Sequence, residues 1–384
     1  MKSESERVSI TLDRPSPQYQ IQIGRHTLSE AGREIRRSLG SQARRAVVIS
    51  NRRVFGLYGP KLVRTLRTNG FRVVPWLMGD GERFKSLATA EKALQFFGTS
   101  GLERTDAVIA LGGGVIGDLA GFAAAIYLRG IPLIHVPTTV TAQIDSAIGG
   151  KTGVNLPHGK NLIGSIHQPK AVIVDVETLA TLPQRELVAG WCEAVKNGAI
   201  GSRKLFEQTA TFLRSQSNRD RATSPLLVDF IKAQCGFKAS VVAQDEHEDT
   251  TRTDHRSRRI LNFGHTIGHA LEATTNYKRF RHGEAVGHGM NVAGEMSKRM
   301  GLLETSELKL LRDAIRSCGS LPAAADLDPD EILRLVHLDK KRMSGSVQWV
   351  LLEKIGRPRI TPEQEIPRRV LRDSLRHGLR PTAE

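Results

Sequence analysis

"LGGGVIGDLAG", residues 111–121, completes the apolar run "DAVIALGG" (106–113) and then changes to a helical pattern. The apolar run reads as a buried strand, and the glycines that follow let the backbone turn tightly into a helix. Gly112, Gly114 and Gly117 satisfy G-x-G-x-x-G, a spacing that lets a pyrophosphate approach backbone N–H groups at a helix start. Alone, the pattern also fits a plain tight turn. It departs from the usual dinucleotide fingerprint in arriving over a hundred residues into the chain. No acidic residue follows at the expected spacing of about 20.

The flanking sequence repeats the theme. "RRAVVIS" (44–50), "FRVVPWLM" (71–78), "IPLIHVPTT" (131–139) and "KAVIVDVE" (170–177) read as buried strands. Helical stretches such as "GPKLVRTLRTNG" and "SLATAEKALQFFGTSG" lie between them, the second opened by Ser86 as N-cap. This alternation predicts a parallel Rossmann-like sheet with helices on its faces. Past residue 182 the strand-like runs give way to long helical patterns, with "VQWVLLEKIG" (347–356) as one late strand. The expected architecture is therefore an α/β domain over 1–181 and a mainly α-helical domain over 182–384, two units being natural for 384 residues.

Composition narrows the function classes. The chain carries 56 basic and 40 acidic residues, a formal charge of +16, spread along its length and densest in "TRTDHRSRR" (251–259) and "PRRVLRDSLRHGLR" (367–380). The second of these reads as a solvated amphipathic helix. A basic surface attracts polyanions, membranes and phosphorylated metabolites alike. Aromatic residues at 5% argue against a surface built for stacking on single-stranded nucleic acid. Cys192, Cys235 and Cys318 are far apart and show no CxxC spacing, so a disulfide framework or a cysteine zinc site is not expected. The start lacks an apolar signal segment and no run is long enough to span a bilayer, which places the protein in the cytoplasm.

Several segments carry chemistry. "DGERFKS" (80–86) and "PTT" (137–139) follow strand ends, where ligands collect in open parallel sheets. In "AQIDSAIGGKTGVNLPHGKNLIG" (142–164), Asp145, Lys151, Lys160 and Asn161 stand in a glycine-rich, poorly helical segment, as solvated loop residues or as an anion clamp. "WCEAVKNGAI" (191–200) sets Glu193 and Lys196 three apart on one helix face among apolar neighbours. A carboxylate buried there needs a cation, and a metal would serve. "LNFGHTIGHALE" (261–272) places His265 and His269 on one face, and His282 follows in "RHGEAVGHGM". Such histidines are either hydrogen-bonded core residues or donors to Zn²⁺ or a related ion. His247, His255 and His288 are further candidates.

These blocks together resemble the 3-dehydroquinate synthase family of sugar-phosphate cyclases, from about residue 44 to 356. The resemblance rests on "DGERFKS", "GGGVIGDLAGF", "VPTTVTAQIDSAIGGKTGVN", "GKNLIGSIHQP", "TLPQREL", "LNFGHTIGHALE", "HGEAVGHGM" and "DKK". It implies a homodimeric enzyme of the shikimate pathway using NAD and Zn²⁺ (or Co²⁺). By the same resemblance Glu193, His265 and His282 match the metal ligands, and His269 matches a catalytic histidine. Asp80, Glu82, Lys85, Gly113, Gly114, Val115, Asp118, Thr138, Thr139, Lys160, Thr178, Leu179 and Thr181 match the NAD site. Arg129, Asp145, Lys151, Asn161, Lys238, Arg258, Asn262 and one of Lys340 and Lys341 match substrate positions. Glu248, Lys151, Lys196, Arg258 and Asn262 join His269 as catalytic candidates. The implied reaction converts 3-deoxy-D-arabino-heptulosonate 7-phosphate to 3-dehydroquinate and phosphate. It runs through transient oxidation, phosphate elimination, reduction and an intramolecular aldol.

The chain also departs from the family pattern. "DEHEDTTRTDHRSRRILNFGH" holds an insertion of about six residues directly behind Glu248, Trp191 and Cys192 replace the usual neighbours of the zinc glutamate, and "ISNRRV" (49–54) offers only Asn51 near the early NAD contacts. The nearest alternative is an inosose or valiolone synthase of the same fold. Those substrates lack a carboxylate, and Lys238, Arg258 and Asn262 favour one that has it. A metal-dependent alcohol or glycerol dehydrogenase is more distant, and a nucleic-acid-binding or purely structural protein more distant still.

Overall fold

The computed structural model describes residues 18–157, 159–215, 217–341 and 347–380, with backbone alone at 339–341. The first half forms β1 (Gln20–Gly24), α1 (Thr27–Leu39), β2 (Arg45–Asn51), α2 (Arg52–Thr68), β3 (Arg72–Met78), α3 (Leu87–Thr99), β4 (Ala107–Gly112), α4 (Gly114–Ile126), β5 (Leu133–Pro137), β6 (Lys151–Leu156), β7 (Gly159–Ile166) and β8 (Ala171–Asp175). Six of these strands make one parallel sheet in the order β1-β8-β5-β4-β2-β3. The inner strands β4, β5 and β8 are buried at every residue, because helices cover both faces. On one face Leu28 and Ile35 of α1 and Leu62 and Leu66 of α2 pack on Val48 and Ile109; on the other, Ala93 and Phe97 of α3 and Leu119 of α4 pack on Val47 and Val108.

The strand order fixes where a ligand can lie. The chain runs from β2 outward to β3, then returns to β4 on the opposite side of β2. That reversal opens a crevice beyond the carboxyl ends of β2 and β4. Asn51 caps α2 there, its side chain accepting the Val54 N–H at 2.8 Å, and Gly113 caps α4.

Two segments differ from the sequence reading. The glycine-rich stretch after residue 150 is an antiparallel hairpin, with Lys151 opposite Ile166 and Val154 opposite Ile163. Alternation of β-branched residues with glycine obscures that pairing in the sequence. The edge strand β1 was also not expected; "QIQIG" is short and only half-buried.

The second half comprises α5 (Gln184–Gly201), α6 (Arg203–Arg214), α7 (Asn218–Thr223), α8 (Leu227–Gln244), α9 (His265–Thr274), α10 (His282–Arg299), α11 (Thr305–Cys318), α12 (Pro329–Lys341), β9 (Gln348–Lys354), β10 (Arg357–Pro362) and α13 (Arg368–Gly378). Helix α5 is buried from Leu187 to Ile200 and forms the axis of this part. The expected single late strand is one arm of the β9–β10 hairpin, separate from the main sheet. The basic tail is a helix, but Leu371, Ser374, Leu375 and Gly378 of α13 are buried, and a Cβ on Gly378 would lie 2.7 Å from the Val292 Cα of α10. One hydrophobic cluster runs from Val140 to Leu379 and includes Val172 and Val174 of the sheet, so helices and sheet share a core.

Glycine permits the closest helix contacts. A Cβ at Gly283 would sit 1.9 Å from the Ala189 carbonyl oxygen of α5, and one at Gly289 would sit 1.9 Å from the Gly264 carbonyl oxygen before α9. Helix α10 thus meets its neighbours backbone to backbone. Gly283→Ala and Gly289→Ala are each expected to cost about 1–3 kcal/mol or more through overpacking. Gly56→Ala, where an added Cβ meets nothing within 4 Å on α2, should stabilise by up to about 1 kcal/mol through helix propensity. Urea unfolding of the three variants checks both signs.

Candidate active site

Three helices deliver one residue each to a common point: Glu193 from within α5, His265 from the first position of α9 and His282 from the first position of α10. Glu193 is wholly buried, and its Oε1 lies 3.9 Å from His265 Nε2 and 3.6 Å from His282 Nε2. One ligand atom from each residue falls within 4.8 Å of the others. The Nδ1–H of His265 donates to the Phe263 carbonyl at 3.3 Å and that of His282 to Glu272 Oε2 at 3.2 Å, turning both Nε2 atoms toward Glu193. Burial and the nearby Lys196 push His265 well below its ordinary pKa, so the ring is neutral and able to donate a lone pair. Glu193 Oε1 is buried and accepts no hydrogen bond. A buried orphan carboxylate oxygen facing two imidazole nitrogens fits a divalent ion with nitrogen and oxygen donors, Zn²⁺ above all.

Beside this trio lies a buried charge network. Lys196 Nζ stands 2.7 Å from Glu193 Oε2 and 3.3 Å from Asp145 Oδ2, and Lys238 pairs with the other oxygen of Asp145. Burial alone would raise the Asp145 carboxyl, but the two ammonium groups outweigh it and hold it well below the usual carboxylate range. Lys238 is pushed down to about 8 by burial, which Asp145 only partly offsets. Trp191 is absorbed by edge contacts to Phe212 at 5.8 Å and Phe230 at 5.7 Å, and Cys192 is buried among apolar side chains.

Glu248 pairs with Lys151 on β6, and Asn262 Nδ2 lies 3.4 Å from its other oxygen. The insertion behind Glu248 therefore leaves it facing these residues. The reason is Asp245, buried at the end of α8: its carboxylate accepts the Asp249 N–H at 2.8 Å and the Arg258 N–H at 2.7 Å, tying together both ends of the loop. The inserted residues bulge outward while their base stays closed. Arg258 is itself buried, its guanidinium donating to the Glu246 carbonyl at 2.7 Å.

The crevice residues form a second network. Lys85 reaches Asp118 of α4 and Asn161 of β7. Burial would lower the Lys85 pKa, but Asp118 and Glu82 outweigh it and raise it. Asp80 accepts from Asn51 Nδ2 at 2.8 Å. Gly113 lies against Thr139, where a Cβ would come within 3.1 Å of its methyl, and Gly114 and Val115 follow in the first turn of α4. Thr138 is buried at the end of β5. Thr178, Leu179 and Thr181 lie in the short helical turn after β8, where Tyr58 donates to the Thr178 carbonyl at 2.9 Å. Lys160 joins crevice to metal trio: its Nζ is 2.9 Å from Glu272 Oε1 and 3.9 Å from Glu82 Oε1. His269 is exposed, with its ring 5.6 Å from His282.

Other expected residues lie elsewhere. Arg129 lines a separate cavity of about 760 Å³ with Arg104, His167 and Lys170, which no other expected site residue lines. The side chains of Lys340 and Lys341 fall outside the described residues. His288 is a core residue whose Nε2–H donates to the Pro322 carbonyl at 2.8 Å, and His247 and His255 are exposed and join no metal-type group among the described residues. Three residues with roles here were missed in the sequence: Glu272, Asp245 and Asn155, whose amide donates to Glu82 at 2.7 Å and accepts the Asn161 N–H at 2.9 Å. Only Glu272 left a signal, at three residues beyond His269 on the same helix face.

Lys238 gives a test of the charge network. With a native pKa of about 8 and an unfolded one near 10.4, the unfolded chain holds the extra proton between those values. Stability conferred through this group therefore rises with pH across that window, by about 1.4 kcal/mol per unit. The difference in unfolding free energy between the natural chain and Lys238→Met, followed by urea titration from pH 7.5 to about 10.5, should show that slope.

The family description "3-dehydroquinate synthase N-terminal" matches residues 76–189, and "3-dehydroquinate synthase C-terminal" matches residues 190–342. The chain is 40% identical to a 3-dehydroquinate synthase of Nostoc punctiforme over 371 residues, covering 95% of this chain and 98% of that one. It is 42% identical to one of Nitrosospira multiformis over 332 residues, covering 86% and 88%. Among solved structures, a 2-epi-5-epi-valiolone synthase of Streptomyces hygroscopicus with NAD⁺ and Zn²⁺ bound matches at 26% identity and TM-score 0.85, over 97% of this chain and 99% of that one. A 2-deoxy-scyllo-inosose synthase complexed with carbaglucose-6-phosphate, NAD⁺ and Co²⁺ matches at 29% and 0.80, over 94% and 96%. With both family halves matched in turn across residues 76–342 and a fold shared with the related cyclases, the chain belongs to the 3-dehydroquinate synthase family.

Proposed function

We propose that the chain converts 3-deoxy-D-arabino-heptulosonate 7-phosphate to 3-dehydroquinate and phosphate, with NAD in the crevice and Zn²⁺ (or Co²⁺) on Glu193, His265 and His282. The observation that carries this is the buried Glu193 Oε1, without a hydrogen bond and faced by two Nε2 atoms. When bound, the ion supplies Lewis acidity to a substrate hydroxyl and the dinucleotide a reversible hydride acceptor.

The chain's own residues do the rest. Lys238 and Arg258, both buried, offer a carboxylate partly desolvated cations, and Asn262 adds an amide that faces Glu248. Such pairs gain more than they would in water. Lys151, half exposed, is placed to meet a phosphate entering from solvent, with Glu248 holding it until substrate arrives. Asp145 aligns Lys196 and Lys238, and Asn161 of β7 reaches Lys85 at the crevice. His269 moves a proton at its exposed imidazole. Asp80, Glu82, Lys85, Asp118 and the Thr138–Thr139 and Thr178–Thr181 turns shape the dinucleotide crevice, with the Gly113–Gly114 start of α4 offering N–H groups to a pyrophosphate.

The substrate carboxylate separates this reading from that of an inosose or valiolone synthase, whose substrates have none. We also read residues 1–181 as the NAD-binding unit and 182–384 as the metal- and substrate-binding unit, acting in a cytoplasmic homodimer. Arg129 supports the dimer. It sits in its own cavity next to the exposed Ile126 and Leu128, so a substrate contact from it is served by a second copy. Light scattering of the eluting protein checks this, a monomer being the contrary result. None of the described helices is long and apolar enough to cross a membrane.

The enzyme assay should show phosphate and dehydroquinate appearing in equal amounts with no net NADH, and a chelator should abolish both. Turnover of sedoheptulose 7-phosphate alone would favour the valiolone reading. Glu193→Gln is expected to purify with little Zn²⁺ and to lose activity by at least about 100-fold, the scale of several kcal/mol of Lewis-acid stabilisation. Atomic absorption and initial rates measure the two effects.

A further inference from the structure

Glu272 is nearly inaccessible, at 3% exposure, and sits between two partners of different kind. One oxygen meets Lys160 Nζ at 2.9 Å and the other meets His282 Nδ1 at 3.2 Å. Lys160 is fixed in turn by the Tyr277 ring, 4.6 Å away, and comes from the β7 arm of the hairpin that borders the crevice. The lysine can only donate, so each oxygen of Glu272 has a settled role. We propose that Glu272 is a positioning residue. By accepting the Nδ1–H of His282 while Lys160 holds its other oxygen, it fixes the tautomer and ring orientation that leave His282 Nε2 free for a divalent cation.

A carboxylate suits this position because it accepts at both ends. Lys160 donates to one oxygen and the Nδ1–H of His282 to the other, and both bonds favour the carboxylate form that accepts them. A glutamine there would have one oxygen only. Lys160 would claim it, turning the NH₂ toward His282 Nδ1. The imidazole would then carry its proton on Nε2, where it blocks a metal.

The inference rests on the reading of Glu193, His265 and His282 as the metal site. Its test uses the full chain stripped with chelator and titrated with Zn²⁺ alone against a chromophoric competitor, and with Co²⁺ for its visible spectrum. Glu272→Gln is expected to weaken Zn²⁺ binding 10–100-fold, as loss of such partners does, and to alter the Co²⁺ bands. Thermal unfolding of the metal-free forms checks that the fold persists. Adding Lys160→Met to Glu272→Gln frees the amide to turn its oxygen to Nδ1–H, and affinity should recover at least in part. Should Glu272→Gln not fold, Glu272→Asp keeps the charge but withdraws the carboxylate by one methylene, and must lose affinity in the same direction. Zn²⁺ affinity within threefold of the natural chain in the folded variant, or no recovery in the double variant, overturns the proposal. Glu193→Gln run in parallel separates the two readings. Zn²⁺ retained there overturns the site itself, whereas loss there with unchanged affinity in Glu272→Gln overturns only the role of Glu272.

Discussion

A carboxylate taken out of water must be met by positive charge, and Glu193 imposes that demand in the middle of a helix buried without a break from Leu187 to Ile200. Lys196 answers for one oxygen. The other faces two imidazole nitrogens that are held as lone-pair donors by the hydrogen bonds at their far sides. The same lysine also faces Asp145, which in turn gathers Lys238, so the charge balance of the metal centre extends into the cationic pocket beside it.

Such a centre needs three backbones to come close. Gly283 and Gly289 remove the side chains that would hold α10 away from α5 and from the turn before α9. Because His282 opens α10 and His265 opens α9, a shift of either helix would move a nitrogen directly. Packing and chemistry are therefore one problem here, and the glycines belong to the site as much as the ligands do. The hairpin β6–β7 adds the link to the sheet, carrying Lys151 to Glu248 and Lys160 to Glu272.

Much of this was legible in the residue order. Strands of adjacent β-branched residues announced a parallel sheet, and the glycine turn after β4 announced the crevice. The histidines four apart announced a shared face, and the metal trio could be assembled through the family's motifs. The less legible parts have physical reasons. The hairpin alternates with glycines and so lacks a clean apolar period, and β1 is an edge strand with little to bury. The late hairpin reads as one strand because its second arm, "RPRITP", is interrupted by proline. The basic tail looked solvated, since its four arginines dominate the sequence and two of the four buried residues, Ser374 and Gly378, are not apolar side chains.

What the sequence determined by itself was local: where the chain is a strand, a helix or a tight turn, and which residue types stand one helical turn apart. These follow from backbone preference and period, which need only near neighbours. Tertiary structure decided the rest. Asp245 closes the base of the insertion, Asn155 bridges Glu82 and Asn161, and Glu272 joins Lys160 to His282. Each of these is a set of hydrogen bonds whose geometry depends on how the segments pack and not on the local preference of either residue. Arg129 was assigned to the substrate with the others, and only the folded chain set it in a different cavity, because a loop's place on the sheet is fixed by strand order and not by its own residues.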